Sequence, residues 1–118
     1  MKQFIKVMKA LSDPSRVKIL KTLEVKEMCV CEIQALLQLA QPTVSKHLRL
    51  LEHAGLVEKQ KDKLWVNYRL TAADGSGYAG KLLAEMRGWL NEDQNIMALM
   101  AKVPGVDRTL LTCKTRLD

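Results

Sequence analysis

Long apolar runs are missing from this 118-residue sequence, and none approaches the roughly 20 consecutive apolar residues that a membrane-spanning helix needs. The first residues, MKQFIKVMKALSD, also lack an apolar h-region and a small-residue cleavage site, so neither a membrane span nor a secretory signal is expected. Cysteine is scarce and odd in number, three in all. That favours reduced thiols in the cytoplasm over disulfide scaffolding. Internal repeats and low-complexity tracts are absent too. The length fits one domain, residues 1–118, with a modest core.

What is present is charge in a folding-competent balance: 27% charged residues beside 47% hydrophobic ones read as globular rather than disordered. A net charge of +6 points to an anionic partner, without choosing among nucleic acid, ribosome and membrane surface.

The hydrophobic period supplies the elements. Phe4, Val7, Met8 and Leu11 form one stripe of a helix over residues 2–11. Asp13 and Pro14 then supply an N-cap and a preset first turn for a second helix ending near Glu24. Ile33, Leu36 and Leu37 predict a short third helix, and Pro42 opens a fourth that stops at Gly55. From Gly55 to Leu70 the period changes to two: Val66, Tyr68 and Leu70 alternate with Asn67 and Arg69, and the polar KQKDK reads as the turn of a β-hairpin. After a loop, TAADGSG, a helix is expected over residues 78–90, and Asn91 with Gln94 marks the start of a last one that ends before Pro104. Gly75, Gly77 and Gly80 have the G-x-G-x-x-G spacing, but no parallel βαβ unit surrounds them, so they read as a flexible loop.

Two short helices followed by a basic hairpin make a mostly α chain with a small β-hairpin, a winged helix-turn-helix. At about 100° per residue, Val44, Leu48 and Leu51 share a packing face of the fourth helix, and Ser45, Lys46 and Arg49 share a polar one. The expected DNA contacts are Gln41, Thr43, Ser45, Lys46, His47 and Arg49 on this helix, with Lys59, Lys61 and Lys63 on the hairpin for the flanking backbone.

The stretch MCVCEIQ, Met28–Gln34, places Cys29 and Cys31 just ahead of the third helix. Thiolate sulfur selects soft metals and metalloids. Two side chains at i and i+2 of a helix diverge by about 200°, so one small ion could be shared only if the helix does not begin before Cys29. A thiol enzyme is the rival reading, but the arginine of a C-x5-R phosphate loop is missing, its two positions being Ala35 and Leu37. No enzyme is expected.

LSDPSRVKIL, CVCEI, QPTVSKHLRLLEHAGLV and WVNYRL, in that order, resemble the ArsR/SmtB winged-helix repressors over about residues 7–70. The resemblance implies a homodimer joined through the terminal helices, 2–11 and 78–102. It implies binding to double-stranded operator DNA with an inverted repeat, with no cofactor required, and release by trivalent arsenic or antimony at Cys29 and Cys31. Arsenic sensors of the family add a third cysteine where this chain has Gln34. Cys113, the one other thiol, stands either as that third ligand or as an idle tail residue. Cadmium, lead, mercury or thiol oxidation is accordingly the alternative signal. The family's zinc, nickel and cobalt ligands on the last helix are replaced by GKLLAEMRGWL, so His47 and His53 are not expected to bind metal.

Overall fold

The computed structural model describes residues 1–72 and 77–111. In chain order these form α1 (Lys2–Ala10), α2 (Pro14–Leu23), β1 (Met28–Cys29), α3 (Val30–Leu37), α4 (Gln41–His53), β2 (Val57–Asp62), β3 (Trp65–Leu70), α5 (Gly77–Met86) and α6 (Gln94–Lys102), followed by single 3-10 turns at Val103–Gly105 and Arg108–Leu110. The three strands make one antiparallel sheet in the order β1-β3-β2. Val7, Ile19, Leu20, Ile33, Val44, Leu48, Leu51 and Leu56 are fully buried in a common core, so α1 to α4 and the root of the hairpin share one apolar interior.

Local chemistry sets the element ends. The Asp13 carboxylate accepts a hydrogen bond from the Arg16 N–H at 3.2 Å, and Pro14 opens α2 with its φ already helical. Gln38 takes the left-handed conformation, φ +55°, to end α3. The chain then re-enters a helix at Gln41, after Ala40 as N-cap. This is the tight turn of a helix-turn-helix.

Four sequence expectations need correction. Most of KQKDK lies on β2 rather than in the turn: Asp62 pairs with Trp65, which leaves Lys63 and Leu64 as a two-residue loop in which Lys63 has φ +57°. A strand, β1, precedes α3 and pairs Met28 with Tyr68 and Cys29 with Asn67. α5 ends at Met86 rather than Leu90, because the buried ammonium of Lys21 takes the carbonyls of Met86 (2.9 Å) and Trp89 (2.8 Å) together with the Asn91 side chain (3.0 Å). Asn91 is thereby committed, and the N-cap of α6 is Asp93, whose carboxylate accepts from the Ile96 N–H at 3.0 Å. The glycine-rich spacing falls partly outside the described residues, and Gly77 and Gly80 lie on α5.

The terminal apolar stripes divide in two. Leu83 and Met86 are buried inside the protomer, whereas Phe4 and Tyr78 meet edge to face at 5.4 Å with both rings exposed. No helix among the described residues is long and apolar enough to cross a membrane.

Candidate DNA-reading surface and thiol pair

α4 presents its outer face because its inner face is spent on packing: Val44, Leu48 and Leu51 are completely buried. Thr43, Lys46 and Arg49 are exposed, and Gln41 and Ser45 are half-buried beside them. Lys46 and Arg49 form no ion pair among the described residues. They are cations available to an outside anion. Lys61 and Lys63 are exposed at the end of the hairpin in the same condition, while Lys59 lies 4.0 Å from Glu52 and so joins β2 to α4.

His47 is placed differently from its expected DNA contact. Its side chain is only 14% exposed, with Nδ1 3.3 Å from an Arg16 guanidinium nitrogen and Nε2 4.0 Å from the Asp13 carboxylate. The residue faces the start of α2, because its angle on the α4 wheel lies nearer the packing face than the outer one. These contacts tie α4 to the start of α2.

The thiols lie at the start of the first helix of the helix-turn-helix. Cys29 is the N-cap of α3, with extended backbone at φ −85°, ψ 171°, and Cys31 is the second residue of the helix. The 200° divergence of an i,i+2 pair within a helix therefore does not apply to them. The Glu32 carboxylate accepts a hydrogen bond from the Cys29 N–H at 3.0 Å, and the Glu32 N–H in turn faces the Cys29 sulfur. This is the reciprocal arrangement that serine or threonine makes with glutamate at other helix starts. Both cysteines are buried. Burial pushes the Cys29 thiol up and the nearby Glu32 carboxylate adds to the rise, against the lowering effect of the Glu32 N–H. Cys29 is a free thiol. Among the described residues no three His, Cys, Asp or Glu side chains converge as a metal site, and Cys113 lies outside the described residues.

The surroundings of the pair include residues that sequence reasoning did not select. Lys26 reaches the Val106 carbonyl at 2.9 Å and lies 3.9 Å from the Glu32 carboxylate. Arg108 donates to the buried Asn67 at 2.8 Å and to Asp62 at 3.2 Å, and its guanidinium lies 4.9 Å from the centre of the Trp65 ring. Residues 103–110 thus strap the start of α3 to the hairpin. No periodic signal in VPGVDRTL announces it.

The family model described as bacterial regulatory protein, arsR family, matches residues 13–59, from the cap of α2 into the hairpin. The chain is 35% identical over 97 residues to the arsenical resistance operon repressor of Escherichia coli (strain K12), covering 81% of this chain and 80% of that protein. It is 42% identical over 66 residues to the cadmium resistance transcriptional regulatory protein CadC homolog of Staphylococcus aureus, covering 55% of this chain and 54% of that protein. Among solved structures, the homodimeric winged helix-turn-helix DNA-binding domain (fragment 1–100) Mb0332 from Mycobacterium bovis is similar at a TM-score of 0.65 and 29% identity, over 74% of this chain and 77% of that one. The chain belongs to the arsR family: it is a DNA-binding transcriptional repressor of the winged helix-turn-helix type and not an enzyme.

Proposed function

We propose that the chain is the cytoplasmic repressor of a metalloid-resistance operon, released from its operator when trivalent arsenic or antimony binds Cys29 and Cys31. The whole of residues 1–118 acts as one DNA-binding unit whose terminal helices join two copies. The dimer lays two α4 helices in the major groove of an inverted repeat, Gln41, Thr43, Ser45, Lys46 and Arg49 facing the bases and phosphates and the hairpin lysines gripping the flanks. The observation that carries the reading is the place of Cys29 at the cap of α3, the helix that leads into the turn before α4. A metalloid drawn to the Cys29 sulfur takes it from the Glu32 N–H and loosens the start of the helix on which α4 is packed.

The second reading, a response to another soft metal or to thiol oxidation, is favoured by Gln34 in place of a third cysteine. One titration separates them. Operator-bound protein kept in a thiol reductant should be released by arsenite, and Cys29→Ser or Cys31→Ser should bind operator as before yet stay bound. Release by cadmium alone, or by peroxide alone once the reductant is removed, would replace arsenic with the second reading. A variant lacking both thiols that arsenite still released would end the proposal. Cys113→Ser asks separately whether the tail thiol is the third ligand.

A further inference from the structure

The first helix carries a feature that neither the reading surface nor the dimer face uses. α1 holds Lys2, Lys6 and Lys9 at spacings of four and three, which puts them on one side of the helix, and it contains no acid. The other sides are committed: Val7 and Ala10 are buried in the core, and Phe4 meets Tyr78.

α1 is fastened along α4 at both ends. Near its start the Gln3 amide donates to the Ala54 carbonyl at 3.1 Å. Near its end Arg16 donates to the carbonyls of Ala10 (2.8 Å) and Lys9 (3.1 Å), with its remaining nitrogen beside His47 of α4. Between these ties runs a groove of about 320 Å³, in which Lys6, Lys9 and Ala10 from α1 face Leu50, His53 and Ala54 from α4. The lysines therefore stand beside the reading helix. Two nearby acids are engaged elsewhere: Asp13 caps α2 and faces His47, and Glu52 of α4 faces Lys59 on the hairpin side.

A helix lying in the major groove is bordered by two phosphate strands, one along each edge. On one flank of α4 the hairpin supplies Lys61 and Lys63. On the other flank we infer that Lys6 and Lys9 of α1 bind the DNA phosphate backbone. This rests on α4 being the reading helix, and it extends the footprint from two elements to three. Such contacts carry no sequence information, so they add affinity and salt dependence to operator and random DNA alike.

The test is a K6Q/K9Q variant of the full chain, measured by anisotropy on operator and on random duplex from low to moderate salt, with dimer state followed by sedimentation. Each lost phosphate contact lowers the slope of log affinity against log salt by about 0.9. Two lysines on two protomers should thus flatten it by about 3 to 4, with equal losses on both DNAs. Unchanged slope and affinity in a variant that remains dimeric would overturn the inference and leave the lysines a solvated face. A loss confined to operator would also overturn it, since that is the mark of base reading. Arg49→Ala, measured in parallel, keeps the two ideas apart: sensitivity to Arg49 without sensitivity to the lysines sinks only the α1 contact, whereas wild-type protein with no affinity for DNA sinks both.

Discussion

At the scale of single residues, the environment of Cys29 would tell inducers apart if, as proposed, its sulfur is a ligand. Burial and the Glu32 carboxylate hold its proton on at neutral pH. A cadmium ion must displace that proton, because the bound form is a thiolate. Arsenous acid need not: each thiol proton leaves with an arsenic-bound hydroxide as water, so the reaction balances without releasing acid. Cadmium affinity should therefore rise with pH by about tenfold per unit from Cys29 alone, throughout the range below its raised pKa. Arsenite affinity should stay flat over about pH 6 to 8, where thiol and arsenous acid are both neutral. Calorimetric titration of reduced protein in buffers of graded pH measures both. A cadmium affinity indifferent to pH would remove Cys29 from the metal site.

Among elements, the strap over residues 103–110 invites a prediction because its contacts differ in worth. The Arg108–Asp62 pair is half open to water, where such pairs contribute little. The bond to Asn67 matters more, since Asn67 is buried beside Cys29 in the sheet. Arg108→Ala leaves the Asn67 carbonyl oxygen without this donor and should cost about 1 to 3 kcal/mol in urea unfolding. It should also speed amide exchange in β3 while leaving α1 unaffected. Unaltered exchange in β3 would mean that the strap does not secure the hairpin. Elements of this kind divide what the sequence discloses from what it conceals. α4 was legible because Pro42 marks its start and Val44, Leu48 and Leu51 repeat with its period. β1 was not, since two residues, Met28 and Cys29, are too short to show a period of two. The Lys63–Leu64 turn has none of the glycine or asparagine that usually signals a two-residue loop. The end of α5 depends on Lys21, more than 60 residues away in sequence. At the candidate site, the outward set on α4 followed from helical geometry, whereas the inward turn of His47 required its partners Asp13 and Arg16 in three dimensions.

For the whole molecule the question is how the two copies of the proposed dimer would meet. The apolar stripes of α1 and α5 suggest five positions, Phe4, Met8, Leu82, Leu83 and Met86, but burial separates them. Leu83 is 1% exposed within the protomer, so a charge there would attack the fold before it reached any interface. Phe4 is 38% and Tyr78 51% exposed. These rings give each copy an apolar surface that a second copy can cover. Phe4→Glu should therefore leave the circular dichroism of the folded protomer nearly as it was while producing monomers in sedimentation. The consequence for DNA follows from linkage: once one half-site is held, the second protomer meets its own half-site at an effective concentration in the millimolar range, which amplifies affinity by about 10² to 10⁴. Monomers forfeit that factor. The variant should thus bind the full inverted repeat no more tightly than it binds an isolated half-site, whereas wild-type protein should separate the two DNAs by the whole factor. Wild-type protein that sedimented as a monomer on its own and still bound the repeat tightly would show that these rings do not join the subunits.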